Sequence, residues 1–338
     1  MRERHHHLPS NRNSLKKRTN LQRTMAASDE LRSLTRAFTG LGVDEKALIS
    51  TLGKWHPEQR QSFRKGSRDF FREDERQFER WDDRHILQLR HEFLRLKDAI
   101  VLCTMHPWER DSRLLKEALY KGPQYHVLVE IACTRSSDDL LGARKAYHSL
   151  FNHSVEEDVA FHLHTPHKKL LVALLSSYRY EGPKVNDEIA KIEAKAISEA
   201  IKAGGSSSPL ENDDVIRILS TRNKVHLKAV YKHYKEITGN YLDQDCDDSH
   251  LILKETVQCL CAPETYFAKI LEASLRYNVD ELTKEAVSRV IVSRADEDMK
   301  QIREEFNRQF GVDLGKKIED VANGNYRDFL LTLVARSD

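Results

Sequence analysis

Val215-Ile-Arg-Ile-Leu-Ser-Thr-Arg222 has the shape of a repeating unit. Counting back from Arg222, the apolar residues at seven, four and three positions are Val215, Ile218 and Leu219, which share one face of a helix. The same count from Arg135 gives Leu128, Ile131 and Ala132, and from Arg294 it gives Val287, Val290 and Ile291. A blurred copy counted from Trp55 gives Leu48, Thr51 and Leu52. The four origins lie 80, 87 and 72 residues apart, so the 338-residue chain reads as an array of four helical units.

A second helix downstream should keep the same register. Twelve residues after the origins stand Tyr147, Tyr234 and Phe306, and sixteen after them stand Phe71, Phe151 and Phe310, with misses at Ser67 and Thr238. Thirty-four residues on, a charged residue opens an apolar run at Lys169-Leu-Leu-Val-Ala-Leu-Leu175 and at Asp328-Phe-Leu-Leu-Thr-Leu333. The first copy has its equivalent, Asp98-Ala-Ile-Val-Leu102, nine residues late, which places an insertion in the charged segment Arg72 to Arg84.

Composition bounds the rest. At 39% hydrophobic and 32% charged, with no apolar run near the roughly 20 residues of a bilayer span, the chain reads as a soluble protein with a large core. Residues 1–24 carry seven Arg or Lys against Glu3 and read as a disordered basic tail, leaving a mildly acidic body of net charge −4. Such a body has no global electrostatic reason to seek nucleic acid or anionic lipid, so something cationic, an ion or the basic tail, must mediate any contact with an acidic surface. Five cysteines, odd in number, make a disulfide framework improbable and point to a reducing cytoplasm. There is no phosphate-binding Gly-rich loop ending in Lys-Ser/Thr and no nucleophile–base pair at a recognisable spacing, so the chain does not read as an enzyme.

The first unit has helical spacing at Leu31, Leu34, Ala37 and Phe38, stops at Thr39-Gly40-Leu41-Gly42-Val43, and restarts at Asp44-Glu45. Two glycines one residue apart let the backbone turn carbonyls outward toward a hard cation; the same glycines also suit a plain helix–helix turn. The Gly204-Gly-Ser-Ser-Ser-Pro-Leu-Glu-Asn212 segment is expected to be the most flexible interior loop.

With four helical units, the Gly40-Leu-Gly-Val-Asp-Glu45 turn, the Thr134-Arg135, Thr221-Arg222 and Ser293-Arg294 helix ends, the Pro107-Trp-Glu-Arg-Asp111 connector and the closing Gly324-Asn-Tyr-Arg-Asp-Phe-Leu-Leu, the sequence resembles the annexins, the plant branch in particular. The resemblance covers residues 29–338. It implies an all-α fold of four repeats of about five short helices each, forming a curved disk, at residues 25–107, 108–182, 183–272 and 273–338. It implies a peripheral, cytoplasmic binder of acidic phospholipid membranes, associated with them in Ca²⁺. Carried onto this chain, the metal ligands are the carbonyls of Phe38, Gly40 and Gly42 and the carboxylate of Glu92.

The departures are visible too. Val43 stands where the family usually has Thr, and Glu92 follows Gly42 by fifty residues rather than about forty, while rigid counting back from Asp98 lands on His91. At the positions of the two glycines the later repeats have Tyr120 and Gly122, Ser207 and Pro209, and Val279 and Glu281. At the carboxylate position they have His162, the group Asp245, Asp247 and Asp248, and Val321 beside Asp320.

The resemblance further implies a redox role for Cys133 and Cys259, whose apolar helix faces on their own read as sites of buried structural thiols. A peroxidase-like activity credited to some plant relatives meets Lys54 at the neighbouring position to His56. Ile216-Arg217-Ile218 matches a short motif for F-actin contact, with Ile218 also required by the core face. The alternative to calcium-dependent membrane binding is therefore a calcium-insensitive scaffold that binds actin, other annexins or a second copy of itself.

Overall fold

Helix caps and apolar faces account for most of the secondary structure. A computed structural model describes residues 28–204 and 209–338; the basic tail and part of the 204–212 loop lie outside them. The first repeat holds α1 (28–37), α2 (Glu45–Leu52), α3 (Pro57–Gly66), β1 (Phe71–Glu73), β2 (Glu79–Trp81) and α4 (Asp83–Thr104). Next come α5 (Pro107–Tyr120), α6 (Tyr125–Thr134), α7 (Ser137–Phe151), α8 (Val155–His162) and α9 (Lys168–Ser176). The third group is α10 (Asp187–Ala203), α11 (Asp213–Thr221), α12 (Lys224–Thr238) and α13 (Leu251–Cys261). The last is α14 (Pro263–Ser274), α15 (Glu281–Arg294), α16 (Met299–Phe310), α17 (Leu314–Val321) and α18 (Gly324–Ala335).

Among the described residues the fold is all-α apart from one hairpin, and that hairpin occupies the expected insertion: Phe71 pairs with Trp81 and Glu73 with Glu79 in antiparallel register. Phe71 and Trp81 of the strands turn inward and, with Phe70 before them, pack with Phe63, Trp55, Leu34 and Leu48, while Phe78 at the hairpin turn is exposed. After it the chain runs as a single 22-residue helix, so this repeat has four helices and a hairpin rather than five helices.

The positions seven, four and three before the arginines are buried in all three regular copies, as are Tyr147, Tyr234 and Phe306. In the blurred copy Leu48 is buried while Leu52 is exposed. The sixteenth-residue anchors behave differently. Phe71 is buried on a strand, Phe151 is half-buried and Phe310 is exposed, because the last turn of α7 and of α16 rises out of the core.

The origins have a common chemistry. Arg135 forms a bidentate pair with Asp111 on α5, with Nε 2.9 Å from Oδ2, and Arg222 pairs with Glu193 on α10 at 2.9 Å. Each closes the second helix of its repeat onto a carboxylate of the first. In the blurred copy the Trp55 indole does the same, donating to Glu30 on α1 at 3.0 Å. An indole N–H retains the bond without the charge, which is how the register survives the loss of arginine there. Arg294 instead pairs with Asp298, just before α16, at 2.7 Å.

The described residues form two compact units. One is built from the chain up to Ala99 with Ala273–Ser288 and Leu314–Arg336; the other from Ile100–Glu272, Arg289–Asp313 and the last two residues. In the second unit α13 packs on α6, α10 on α12 and α5 on α7. At its centre the Glu130 carboxylate, fully buried, takes Arg289 Nε at 3.0 Å and the Tyr266 hydroxyl at 3.0 Å.

Candidate metal centre

After α1 come Phe38 and Thr39, and the chain then passes through Gly40 at φ +93° and Gly42 at φ +78°, conformations that side chains with a Cβ rarely adopt. Asp44 starts α2 by accepting from the Ala47 N–H at 3.0 Å. Between these ends the turn runs beside the α17–α18 junction. Leu41 N–H donates to the Val321 carbonyl at 2.9 Å and Asn323 N–H to the Leu41 carbonyl at 2.7 Å, an isolated parallel bridge. The Asn323 amide also donates to the Thr39 carbonyl.

The loop carbonyls therefore alternate. Those of Thr39 and Leu41 are bonded to this neighbouring segment, whereas among the described residues no donor reaches those of Phe38, Gly40 or Gly42. These are the three carbonyls that the resemblance implies as metal ligands. Both glycines are nonetheless buried, and a Cβ at Gly40 would meet the Val321 carbonyl oxygen at 2.5 Å. Close approach to the 321–326 segment is thus a second reason for glycine here, beside the positive φ.

The carboxylate comes from α4. Glu92 is 2% exposed and its Oε2 accepts the Gly42 N–H at 2.5 Å, across fifty residues of sequence. It is Glu92, not His91, that reaches the turn; His91 faces Glu281 at 3.7 Å with an exposed ring.

Glu92 has further partners that sequence reasoning missed. Arg95, one turn on, spans both its oxygens at 3.1 and 3.2 Å, and Lys284 on α15 places Nζ 3.0 Å from Oε1. Both cations are buried, and Glu281 completes the cluster by contacting Arg95 and by standing 3.4 Å from Lys284 Nζ. Burial works against the Arg95 charge, but the neighbouring carboxylates more than offset it, so its pKa is raised. In the sequence Lys284 stands three residues after Glu281, the repeat-four counterpart of Gly42, and 192 residues from Glu92, a separation that spacing does not bridge.

Tested against a calcium ion, the donor types fit: the turn carries three carbonyl oxygens without a donor, and a carboxylate reaches the same turn at Gly42 N–H, all hard oxygen ligands. The carboxylate is already neutralised by two cations, so an ion can take it only by exchange.

The later repeats commit the corresponding positions otherwise. His162 packs on the Tyr120 ring at 4.3 Å; Asp245 accepts the Tyr234 hydroxyl at 2.7 Å; Val321 is in the core; and Asp320 pairs with Lys316 at 3.1 Å. Asp247 accepts from Ser249 and Asp248 is exposed, while Ser207 lies outside the described residues.

The remaining singled-out residues sit as follows. Cys133 and Cys259 are buried on the packed pair α6 and α13; burial pushes the Cys133 thiol up to about 11 and the Cys259 thiol well above its ordinary value. Of Ile216-Arg217-Ile218, the two isoleucines are buried and only Arg217 is presented to solvent, where it pairs with Asp214 at 3.7 Å.

A protein-family model described as Annexin matches residues 110–174, 193–250 and 266–333, beginning after the 38–42 turn. Among solved structures, Annexin III superposes at a TM-score of 0.65 with 24% identity, over 91% of this chain and 93% of that one. Chicken annexin V does so at 0.64 with 25% identity, over 91% and 95%. The chain belongs to the annexin family, whose members bind calcium and phospholipid.

Within the family it falls on the plant side. It is 52% identical to Annexin D4 of Arabidopsis thaliana over 93% of this chain and all of that protein, and 39% identical to Annexin Gh1 of Gossypium hirsutum over 91% and 95%. Among the described residues no helix is long and apolar enough to cross a membrane.

Proposed function

We propose that this chain is a non-catalytic, peripheral binder of acidic phospholipid, acting from the cytoplasm, with calcium held in the first-repeat turn by the carbonyls of Phe38, Gly40 and Gly42 and the carboxylate of Glu92. The observation that carries this reading is the alternation of bonded and donor-free carbonyls in 38–42 beside a carboxylate 2.5 Å from Gly42 N. Calcium takes roughly 6–8 oxygens, so three carbonyls and one carboxylate leave positions for water or a lipid phosphate. An ion shared in this way lets a body of net negative charge meet a negative surface.

The test is co-sedimentation of the full chain with phosphatidylserine vesicles across a calcium series, with Glu92→Gln beside it. Pelleting should rise with calcium in the wild type and lose its calcium sensitivity in the variant. Pelleting that depends on calcium equally in both would remove the ion from this turn.

One observation favours a second reading. Glu92 is already held by Arg95 and Lys284, and at the carboxylate positions of the other repeats Asp245 and Asp320 are paired and Val321 is apolar, which suits a calcium-insensitive scaffold for actin or for other annexins. Co-sedimentation with F-actin in chelator, compared between wild type and Arg217→Ala, addresses it through the one motif residue that faces solvent.

A further inference from the structure

We propose that Lys284 is a resident competitor for the Glu92 carboxylate, so that calcium enters the first-repeat turn only in exchange for the Lys284 ammonium. The inference rests on the calcium reading of that turn given above. Three features carry it.

The first is position. Lys284 Nζ bridges two carboxylates, 3.0 Å from Glu92 Oε1 and 3.4 Å from Glu281 Oε1, on a side chain 1% exposed. A compact ammonium between two acidic oxygens occupies the place and the charge role of a small cation. The guanidinium of Arg95 is a different case. It is planar, it belongs to the same helix as Glu92, and it spans both Glu92 oxygens, fixing the carboxylate from its own helix.

The second is saturation. Oε1 accepts from Lys284 and Arg95, and Oε2 from Gly42 N–H and Arg95, so the carboxylate has no free edge to offer an ion. Releasing Lys284 frees one acceptor position on Oε1, while Arg95 keeps the other and Gly42 and Arg95 continue to hold Oε2 at the turn. Exchange therefore needs one partner to leave and not the whole cluster to open.

The third is charge. Glu92 and Glu281 are balanced by Arg95 and Lys284, a neutral set. Adding a divalent ion to it leaves uncompensated positive charge in a buried place, which is costly. Removing the ammonium removes one unit of that excess. Lys284 thereby sets the calcium threshold of the site, and an anionic phosphate arriving with the ion lowers it.

The experiment is calorimetric titration of the full chain with CaCl2, in the presence of short-chain phosphatidylserine, for wild type, Lys284→Met, Glu92→Gln and the double variant. Thermal melts in chelator and in calcium form a second readout. Lys284→Met should bind calcium at least about tenfold more tightly than wild type, because one buried like charge is gone. The gain should vanish in the double variant. The calcium-induced rise in melting temperature should likewise be larger for Lys284→Met than for wild type.

Equal affinity of wild type and Lys284→Met, both abolished by Glu92→Gln, overturns the competition and leaves the calcium site standing. Absence of Glu92-dependent calcium binding in every protein overturns the site and the competition together. Should Lys284→Met fail to melt cooperatively, Lys284→Gln replaces it, since its amide keeps a donor for Glu92 without the charge.

Discussion

Glu92→Gln in calcium-free buffer isolates the energetic weight of the buried charge cluster. The substitution keeps the volume and one acceptor oxygen, enough for the Gly42 N–H, and removes the charge that Arg95 and Lys284 share. Lys284, 1% exposed, then faces an amide and retains only Glu281 at 3.4 Å. Removing one partner of a buried ion pair costs about 3–5 kcal/mol. Because Glu281 still compensates part of the charge, the lower end applies, about 3 kcal/mol, which leaves a domain of ordinary stability folded.

The assay is urea unfolding near neutral pH in a Trp108→Phe background. Trp55 and Trp81 then report the unit that contains Glu92, since Trp108 belongs to the other. A loss below about 1 kcal/mol, the range of an exposed pair, would refute the burial and bonding of Glu92 on which the site rests. Combining the change with Lys284→Met should cost less than the sum of the single losses, because the two groups are in contact.

Three further outcomes follow from the geometry. Gly40→Ala should lower unit stability by about 1–3 kcal/mol, from the strained φ and the clash with the Val321 oxygen; Gly122→Ala, at φ +102° with open space around it, should cost less in the same melt. Iodoacetamide labelling followed by peptide mass spectrometry should find exposed Cys103 modified first, with Cys133 and Cys259 reacting only after unfolding, since burial disfavours their thiolates. Burial, with Glu130 nearby, pushes the Glu255 carboxyl on α13 from 4.5 up to about 7, and its Oε2 has no hydrogen-bond partner. Its folded pKa is raised, so the folded state binds the extra proton between these values and stability falls as pH rises from about 4.5 to about 7. Glu255→Gln should therefore be more stable than wild type above pH 7, by up to about 3 kcal/mol, and comparable to it near the lower value; the same pH dependence in both would discard the assignment.

Reading the sequence recovers the helices and the repeat because both are written in spacing. Val215, Ile218 and Leu219 face the core for the same local reason as their counterparts in the other repeats, and a helix needs only its own residues to set that face. The Gly40-Leu-Gly42 turn is visible for the same reason, as a pair of residues that tolerate positive φ. In the blurred first copy Leu52 faces solvent, yet the Trp55 indole N–H reaches Glu30 as Arg135 and Arg222 reach Asp111 and Glu193.

Spacing cannot show which distant groups meet. The tertiary structure decides that the insertion folds as a hairpin, that the two glycines are also shaped by the 321–326 segment, and that Glu92 rather than His91 arrives at Gly42. It also decides that Lys284, 192 residues away from Glu92 in the chain, supplies the charge that carboxylate holds. Burial is a property of one helix face and is repeated along the chain. The balance of charge in a buried cluster depends on every chain segment that enters it, and so exists only once the fold has brought them together.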